Sequence, residues 1–486
     1  MLVKLDDQGP LYRQIYRALR DQILKGVRAP GTPIPPSRQL SSELGCSRNV
    51  VTLAYDQLLA EGYLQSRRGS GTFVATGLAR QRPVEQPSRH NQGPRNLSAF
   101  SERMLAQTDQ QRVDWQRQAQ PPPYDFWYGR PPLADFPHDT WCRLLGRAAR
   151  QATLRQLDYG SPQGVVELRV AIAAYLQRAR GVVCTPDQLF VVNGFQQALD
   201  LVSRVLLNPG DPVVVEEPHY RPARMAFEAV GANISGVPVD ADGLCVAELP
   251  RDSTRLIYVT PSHQFPTGSV LALPRRLDLL AWATRRDAYV LEDDYNGEYR
   301  YSGRPVETLQ GLDEHGRVLY AGTFSKVMFP ALRIGYLVVP EPLVRPFAIA
   351  KTLADAGGPT VMQLALAEFI QGGHFERHVR RARTRNAARR AAMLEAIVLH
   401  LGNRVEVVGA NAGLHVMLRL PDVPMRRVRE LRHRAAELGV GVYSAAPFYL
   451  DPPAGGEVLL GYASLTEAEI REGVRRLAQG MKSLDA

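Results

Sequence analysis

The sequence predicts an α/β protein with a helical domain at its amino end, and two patterns carry that prediction. Over residues 1–76 the apolar residues recur at helical spacing, and the segment ends in glycines. From about Pro123 onward, short apolar strands alternate with segments of helix length. Such alternation favours an open, mostly parallel sheet covered by helices on both faces. Residues 77–122 are rich in Gln, Arg and Pro, and we expect a linker that is largely unstructured by itself.

Length and composition limit the class of protein. The chain has 486 residues, 45% apolar and 22% charged, as in a folded globular protein of two or three domains. We expect a cytoplasmic protein, because the sequence shows neither a secretory signal nor an apolar run long enough to span a membrane. Its four cysteines are too far apart for a Cys-x-x-Cys metal site and do not suggest disulfides. The net charge of +10 favours a polyanionic partner.

The amino-terminal pattern indicates three helices followed by a β-hairpin. Residues 11–23 place an apolar residue at every fourth position, which makes one stripe along a helix. Ser37 can cap a short second helix, and Ser47 can cap a third, from Arg48 to about Glu61. Two short strands around a glycine-rich turn follow at residues 64–75. Three helices and such a hairpin make a winged helix-turn-helix.

The third of these helices carries the residues that would read DNA. Because Val51 and Tyr55 face inward, the exposed amino end presents Arg48, Asn49 and Thr52. In winged-helix docking this end meets base edges in the major groove, where Arg and Asn suit guanine and adenine. The arginines and glycine amides of the wing can approach phosphates. The alternative is a small helical domain that binds another protein.

The stretch PGTPIPPSRQLSSELGCSRNVVTLAYDQLLAEGYLQSRRGSGTFV closely resembles the winged-helix domain of the GntR family of bacterial transcription regulators. The resemblance covers about 65 residues without an evident gap. It implies a module that binds an operator in double-stranded DNA. The residues that it places near DNA are Arg38, Ser47, Arg48, Asn49, Thr52, Arg67, Arg68, Gly69 and Gly71.

Six apolar segments of the remaining chain are predicted to be buried strands. They are Leu189–Val192, Pro212–Glu216, Leu256–Val259, Ala288–Glu292, Val318–Ala321 and Tyr336–Val339. Ligands in such sheets bind at the carboxyl ends of the strands. A smaller α+β piece is expected from about His400 to Ala486. An arginine-rich helix, His374–Arg390, precedes that piece, and its basic face is either solvated or in contact with DNA.

Lys326 stands alone among apolar residues at the end of a predicted strand, in AGTFSKVMFPALRIGY. Burial destabilises the ammonium form of a lysine, and the neutral amine can then form a Schiff base with a carbonyl cofactor. Thr323 and Ser325 offer hydroxyls to a phosphate, and Arg333 offers a bidentate guanidinium. The alternative is a lysine that extends along the surface to reach solvent.

Other polar or aromatic residues also follow predicted strands. A buried Asp293 or Asp294 needs a cation or hydrogen-bond donors: a protonated pyridine nitrogen, a magnesium ion or a helix terminus would each serve. Gly194 precedes a helix whose first N–H groups can hold a phosphate. Tyr220 can lie over a planar ring or simply pack in the core. No metal site is predicted, since His374 is followed by Phe375 and not by the Glu of the metalloprotease pattern.

The order of these features resembles the fold-type-I aminotransferases, whose cofactor is pyridoxal 5′-phosphate (PLP). The matching stretches are VVNGF, EEPHY, TPSHQFPTG, EDDYNGEY, GTFSK and ALRIGY, and the likeness covers roughly residues 123–486. It implies that Lys326 is the catalytic lysine of the aldimine and that Asp293 pairs with the pyridinium nitrogen. Tyr295 would hydrogen-bond the 3′ oxygen, and Tyr220 would stack on the ring. The residues implied around the phosphate are Gly194, Phe195, Gln196, Thr323, Ser325 and Arg333.

Two departures from the aminotransferase pattern concern substrate recognition. Phe265 stands where an asparagine usually precedes Pro-Thr-Gly. Leu459 and Leu460 stand where an arginine usually clamps the substrate carboxylate. The cofactor site is thus retained, while ordinary amino-acid recognition is not. Three arginines could substitute for the missing one: Arg221, Arg224 and Arg419.

The combination of a GntR-like winged helix, a linker and an aminotransferase-like domain resembles the MocR/GabR subfamily of regulators. That resemblance implies a domain-swapped homodimer whose large domain senses either an amine or amino acid, or PLP itself. No physiological turnover is expected, although residual transaminase chemistry is compatible with the site. The alternatives are an active aminotransferase with a DNA-binding appendage and a scaffolding protein with a vestigial site.

Overall fold

The computed structural model describes residues 3–67, 69–77, 96–110, 121–301, 307–409 and 411–484. The chain divides into two compact units, Met1–Asn96 and Leu97–Ala486. The first unit consists of α1 (Leu11–Leu24), α2 (Ser37–Glu43), α3 (Arg48–Ala60), β1 (Leu64–Arg67) and β2 (Gly71–Val74). This order is the winged helix-turn-helix that the sequence predicts.

The core of the first unit forms where its three helices meet. Ile15 of α1, Leu40 of α2 and both Val51 and Leu58 of α3 are completely buried. The two predicted caps differ in detail from the structure. Pro36 precedes α2, so Ser37 is its first helical residue, and Ser47 precedes α3 without a side-chain capping bond. Packing of the apolar stripes, and not side-chain capping, therefore fixes these helices.

The wing is an antiparallel hairpin in which Leu64 pairs with Val74 and Arg67 pairs with Gly71. Gly69 and Gly71 have φ angles of 79° and 104°, a region that only glycine enters without strain. The Arg67 guanidinium lies 4.7 Å from the centre of the Phe73 ring. The turn thus needs its glycines for backbone geometry as well as for any approach to DNA.

The second unit holds the remaining elements. Its helices are α4 (Ala99–Gln110), α5 (His138–Gln151), α6 (Leu154–Leu157), α7 (Val166–Arg180), α8 (Phe195–Leu206), α9 (Arg221–Ala229), α10 (Leu273–Arg286), α11 (Leu309–Leu312), α12 (Val344–Asp355), α13 (Thr360–Gln371), α14 (His374–His400), α15 (Val428–Glu437) and α16 (Glu467–Lys482). Its strands are β3 (Tyr124–Asp125), β4 (Leu189–Val192), β5 (Pro212–Glu217), β6 (Asn233–Asp240), β7 (Gly243–Leu244), β8 (Leu256–Val259), β9 (Tyr289–Asp293), β10 (Val318–Thr323), β11 (Gly335–Val338), β12 (Glu406–Val408), β13 (His415–Pro424), β14 (Val440–Gly441), β15 (Tyr443–Ser444) and β16 (Gly455–Gly461). In the parts of the chain described above, no helix is both long and apolar enough to cross a membrane.

Eight strands of this unit form one large sheet in the order β4-β11-β10-β9-β8-β5-β6-β7. The neighbours from β10 to β6 run parallel, whereas β11 runs antiparallel to both β10 and β4. All six predicted strands are present; β4 and β8 have the predicted bounds, and the other four differ by one or two residues at an end. Apolar clusters cover both faces, as expected for the fold type predicted. The carboxyl ends of the parallel strands therefore share one edge.

A smaller subdomain contains an antiparallel sheet in the order β12-β13-β16-β15, packed with α14, α15 and α16. The short strand β3 joins this subdomain by pairing in parallel with β14. Beyond β3, the backbone carbonyl of Phe126 accepts a hydrogen bond from the N–H of Gly461. Farther along this segment the carbonyl of Gly129 accepts a hydrogen bond from Lys326, just after β10, so the segment runs from the small subdomain to the edge of the large sheet.

Helix α4 lies inside the segment that the sequence predicts to be a largely unstructured linker. It packs against α9, and the Arg103 Nε donates a 3.0 Å hydrogen bond to the carbonyl of Ala229, the last residue of α9. The prediction of little structure was wrong for this helix. Its sequence is too polar to predict a helix by itself, and its contacts with α9 form only when the domain is folded. Most of the rest of residues 77–122 lies outside the described residues.

Candidate functional site

The site begins where β4, β10 and β11 meet at the edge of the large sheet. Gly335, the first residue of β11, pairs with Val192 at the end of β4 and with Thr323 at the end of β10. Chain segments that follow β4 and β10 are consequently neighbours. This register brings together Gly194 and Lys326, which are far apart in sequence.

Gly194 forms the bottom of a cradle for an anion. It precedes α8 with a φ of 74°, and α8 has neither a side-chain cap nor an acidic residue in its first turn. A Cβ atom at Gly194 would lie 2.6 Å from Arg333 Nη2, so only glycine allows this approach. The same Nη2 donates to the carbonyl of Asn193 at 3.0 Å. Free helix N–H groups beside a guanidinium are the donors that a phosphate requires.

The remaining residues predicted for the phosphate lie around this cradle. The hydroxyls of Thr323 and Ser325 are 3.0 Å apart, and Thr323 Oγ1 also accepts from the Ser325 N–H. Phe195 and Gln196 form the first turn of α8, where Gln196 is exposed. The ring of Phe195 lies 6.2 Å from that of Tyr220. The residues that the sequence assigns to the phosphate thus lie after β4, at or just after the end of β10, and just before β11.

Replacement of Gly194 by alanine is expected to weaken PLP binding at least about tenfold, because a left-handed backbone and a contact with Arg333 must both be relieved. The equilibrium constant for PLP can be measured by absorbance titration after dialysis. Gly455→Ala is the matched control, since a Cβ there meets no atom within 4 Å. Equal PLP affinities of the two variants would contradict the cradle.

Asp293 and Asp294 end β9 side by side but have different surroundings. The negative charge of Asp294 is compensated, because its Oδ2 lies 2.6 Å from Arg180 Nη2 and 2.6 Å from the Tyr320 hydroxyl. Asp293 is 4% exposed, and its Oδ2 accepts from the Tyr258 hydroxyl at 2.6 Å. Its Oδ1 is buried and has no hydrogen-bond partner within the described structure. Asp294 Oδ1 is buried without a partner as well, so the two carboxylates differ in their charge partners. The charge of Asp294 is paired with Arg180, whereas Asp293 makes no ion pair within the described residues, and its charge is the one left for a ligand.

Burial is the main reason why the pKa of Asp293 rises from 3.8 to about 8. The neighbouring Asp294 raises it further, whereas the Tyr258 hydrogen bond and the charge of Lys326 act in the opposite direction. Burial lowers the pKa of Lys326, while Asp293 opposes that shift. The two groups are therefore close enough to influence each other's charge.

Lys326 is held in a short turn after β10. Its Nζ donates a 2.9 Å hydrogen bond to the carbonyl of Gly129, which lies in the segment that leaves β3. The Tyr295 hydroxyl is buried and lacks a partner among the residues described. Burial raises the pKa of Tyr295 well above its usual value, so the phenol stays protonated and can donate.

These residues fit PLP. The free Asp293 Oδ1 suits a protonated ring nitrogen, the unpartnered Tyr295 hydroxyl suits the ring oxygen, and the cradle at Gly194 suits the phosphate. When bound, PLP supplies an aldehyde that an amine such as that of Lys326 can attack. The magnesium alternative has no support, since no group of three or more metal-binding side chains occurs in the described ranges. The helix-terminus alternative has none either, because bends and turns, not a helix, follow β9 up to Tyr301.

The raised pKa of Asp293 predicts a pH dependence for the protein without PLP. A carboxyl with a pKa raised by folding keeps its proton at pH values where the unfolded chain has lost it, so stability falls as pH rises from about 4 to 8. Asp293→Asn should flatten this fall by up to about 1.4 kcal/mol per pH unit. Urea unfolding of both proteins at several pH values between about 4 and 8 measures how the free energy of unfolding depends on pH. The exposed Asp252, changed to Asn, is the control, and equal slopes for wild type and Asp293→Asn would contradict the assignment.

An apolar wall closes the side of the site where an aminotransferase would clamp a carboxylate. Leu459 is completely buried there, and Leu460 belongs to the core of the small subdomain. The wall consists of Phe265, Met417, Ala445, Phe448 and Leu459, with Tyr128, Tyr220 and Tyr295 packed against it. The position on β16 where an aminotransferase would carry an arginine is therefore part of a packed apolar surface.

Two of the three substitute arginines are already paired. Arg419 Nε lies 3.2 Å from Glu457, and its Nη1 lies 3.6 Å from Glu406. Arg224 Nε lies 3.3 Å from Glu228 on the same helix. Each of these guanidinium groups thus already has a carboxylate partner within the protein.

Several residues that hold the site were missed by sequence reasoning. Tyr258 donates to Asp293, and Gly129 accepts from Lys326. Behind the cradle, Asp355 accepts from the Asn193 side chain and pairs at 2.6 Å with the buried Lys351. Asn193, beside Gly194 in the quoted motif, was the one recognisable signal; the others depend on contacts between distant segments.

The predicted DNA-binding residues are at the surface of the first unit. Arg38, Ser47, Arg48, Asn49, Arg67, Gly69 and Gly71 are exposed, and Thr52 is half-buried with its hydroxyl bonded to the carbonyl of Arg48. Arg48 Nε donates to the Ser37 hydroxyl at 3.2 Å, which links the starts of α3 and α2. Arg68 lies outside the described residues.

Two family models match the chain. Residues 11–74 match "Bacterial regulatory proteins, gntR family", and residues 137–477 match "Aminotransferase class I and II". A probable rhizopine catabolism regulatory protein, MocR, of Rhizobium meliloti is 39% identical over 100% of this chain and 97% of its own. The pyridoxine biosynthesis transcriptional regulator PdxR of Corynebacterium glutamicum is 32% identical over 94% of this chain and 93% of its own.

Solved structures of aminotransferases resemble the second unit. The α-aminoadipate aminotransferase LysN of Thermus thermophilus, complexed with N-(5′-phosphopyridoxyl)-L-leucine, has a TM-score of 0.71 at 29% identity, over 80% of this chain and 97% of that one. Winged helix and cofactor site together define a PLP-dependent, DNA-binding transcription regulator with a fold-type-I aminotransferase-like domain. Within that class, the chain belongs to the MocR/GabR subfamily of GntR-family regulators.

Proposed function

We propose that this regulator converts the occupancy of the Lys326 site into a change in operator binding by α3 and the wing. The observation that supports the proposal is the pair of buried, unpartnered oxygens, Asp293 Oδ1 and the Tyr295 hydroxyl, close to an apolar wall in which β16 offers no arginine. A ligand can shift the regulator only by the difference in its affinity for two arrangements. The ligand is either PLP itself or an amine that competes with Lys326 for the cofactor.

The lysine environment supports this competition. Burial lowers the pKa of Lys326, and among the described residues its Nζ has one hydrogen-bond acceptor, the Gly129 carbonyl. Gly129 follows β3, which pairs with β14 of the small subdomain. Loss of the Lys326–Gly129 hydrogen bond would therefore release a segment that is paired with the small subdomain. This link offers a route for a rearrangement between the large and small parts of the second unit.

The proposal is tested with the full-length protein and a DNA fragment from upstream of its own gene. Fluorescence anisotropy should report a shift of DNA affinity when PLP is added to protein freed of it, or when amines are then titrated. An absorbance spectrum taken in parallel reports occupancy of Lys326. If occupancy changes while DNA affinity does not, the sensor proposal fails.

The rival function is an active aminotransferase with a DNA-binding appendage. The apolar wall argues against it, since the usual carboxylate clamp is replaced by Leu459. Rapid half-transamination of common amino acids by the full-length protein, measured by stopped-flow absorbance, would favour the enzyme. We expect slow or no turnover.

We also propose that the functional form is a homodimer, domain-swapped as the subfamily resemblance implies. Large apolar side chains are exposed on the second unit: Leu154 (87%), Leu157, Tyr159 (92%) and Leu353. Leu157 and Tyr159 line an open cavity of about 460 Å³ together with Asp355. Such exposed apolar side chains around a cavity are typical of a protein interface. Light scattering of the purified protein should give twice the 53.9 kDa of one chain.

A further inference from the structure

Two buried histidines near the cofactor residues lack the hydrogen-bond partners that their rings require. His263, in the loop that follows β8, is 2% exposed, and neither its Nδ1 nor its Nε2 has a partner within the described residues. His415, the first residue of β13, is 1% exposed, and its Nδ1 is also unpartnered in the described part of the chain. A buried polar atom without a partner is costly. These three nitrogens therefore indicate a polar group that the described chain does not supply.

The two histidine rings lie next to each other and next to residues of the candidate site. Their centres are 5.7 Å apart, and the centre of the His263 ring lies 5.9 Å from that of Tyr295. The His415 ring lies 5.6 Å from the ring of Phe265 in the apolar wall, and Phe265 lies 6.0 Å from Tyr295. The charge of Lys326 contributes to the lowered pKa of His415. The histidine pair is therefore located between the apolar wall and the residues that fit PLP.

Two glycines hold the His263 ring in its position. A Cβ atom at Gly413 would lie 2.2 Å from His263 Nε2, and one at Gly268 would lie 2.8 Å from its Cε1. Both glycines have positive φ angles, of 83° and 73°. Because the backbone approaches the ring so closely, the ring cannot turn toward solvent, and a partner for its nitrogens has to enter the site.

The hydrogen bond of His415 determines which kind of partner is missing. Its Nε2 lies 3.1 Å from the carbonyl of Pro266, and since a carbonyl only accepts, Nε2 carries the proton. Burial lowers the pKa of His415 to about 4, so the ring is neutral at pH 7 and its Nδ1 is an acceptor. Burial also lowers the pKa of His263 to about 3, which leaves that ring with one donor and one acceptor. The missing group must therefore donate a hydrogen bond to His415, which a carboxylate cannot do.

The polar groups of PLP do not account for these nitrogens. The ring nitrogen, the ring oxygen and the phosphate fit Asp293, Tyr295 and the cradle at Gly194. A hydroxyl group both donates and accepts, so a single hydroxyl can serve His415 Nδ1 and the His263 ring together.

We propose that His263 and His415 bind a hydroxyl group of the effector, and that the effector class is an amine that carries a hydroxyl. The proposal rests on the proposed function, since it assumes that an amine competes for the cofactor held at Lys326. It agrees with the composition of the apolar wall, in which β16 offers no arginine to a carboxylate.

Stable conjugates of the cofactor provide the probes. The reduced N-(5′-phosphopyridoxyl) derivatives of ethanolamine, 3-aminopropanol and 4-aminobutanol place a hydroxyl at three distances from the ring, and those of ethylamine, propylamine and butylamine are their counterparts without it. Calorimetric titration of the full-length protein freed of PLP gives the affinity for each. We expect wild type to prefer the hydroxyl at one spacing or more by about tenfold, the usual net effect of one buried hydrogen bond.

His415→Phe removes the acceptor but keeps an aromatic ring, so it should abolish this preference and leave the affinity for PLP nearly unchanged. His263→Phe should reduce the preference. His415→Gln keeps one donor and one acceptor, should retain part of the preference, and serves if the phenylalanine variant folds poorly. His378→Phe is the matched control and should keep the preference, because His378 is also buried and its Nε2 donates to the Val327 carbonyl at 2.7 Å, but its ring packs against Phe136.

The inference is overturned if wild type shows no preference for the hydroxyl at any spacing, or if the preference survives His415→Phe. It also fails if His415→Phe weakens PLP and all six conjugates equally, since His415 would then hold the cofactor itself. The same titrations separate this inference from the proposed function. If wild type binds neither PLP nor any conjugate, the proposed function fails as well. If PLP and the conjugates bind but the hydroxyl has no effect, only the assignment of the histidine pair is lost.

Discussion

Replacement of Lys326 by alanine is expected to abolish covalent attachment of PLP completely. No other lysine among the described residues lies at the end of β10, and Lys351, the other buried lysine near the cradle, is paired with Asp355 at 2.6 Å. Wild type should show the long-wavelength absorption of lysine-bound PLP and lose it after borohydride reduction. Mass spectrometry should then find the reduced cofactor on the peptide that contains Lys326.

The alanine variant tests site geometry as well as chemistry. Asp293, Tyr295 and the cradle at Gly194 remain, so non-covalent PLP should still bind, but it should be lost on dialysis. Lys482→Ala, at an exposed position, is the control and should behave as wild type. A cofactor still attached to the Lys326→Ala protein through another lysine would overturn the assignment.

Loss of the Arg48 side chain should weaken operator binding by about 10- to 100-fold, the usual effect of removing a base-reading arginine. Arg48 is exposed at the start of α3, and within the described part of the chain its side chain bonds only to the Ser37 hydroxyl, so the fold should survive. Anisotropy titration of the upstream DNA fragment, with non-specific competitor present, measures the change. The melting temperature should stay close to that of wild type.

Arg13→Ala provides the matched control, since it removes the same charge from an exposed position on α1. If Arg48 acts only through its positive charge, both variants should lose the same amount of DNA affinity, and that loss should depend steeply on salt concentration. A loss confined to Arg48→Ala, and larger for the operator than for competitor DNA, would support base reading. Equal losses in the two variants would place the recognition surface elsewhere on the protein.

Much of this fold was predictable because its signals are local. The strands are short, apolar and bounded by turn residues, so AYVLE and VLYA could be recognised without their neighbours. A parallel sheet then brings strand ends together, which places Asp293 and Lys326 at one edge. The winged helix was predictable for the same reason, since its apolar stripes have a regular period.

The unpredicted features depend on distant partners. Tyr258 was read only as part of an apolar strand, yet its hydroxyl supports Asp293. The difference between Asp293 and Asp294 follows from Arg180, which lies more than one hundred residues earlier. Helix α4 is too polar to be recognised alone, and its position depends on the surface of α9. Such contacts carry no local pattern in a single sequence.

The contact between α4 and α9 has a practical consequence for cloning. Helix α9 starts at Arg221, directly after Tyr220, and ends at Ala229, whose carbonyl accepts the hydrogen bond from Arg103 of α4. A fragment that begins at Pro123 would lack α4, and the carboxyl end of α9 would lose its contacts with that helix. Ligand screens on an isolated sensor fragment should therefore start from Leu97, where the compact unit begins.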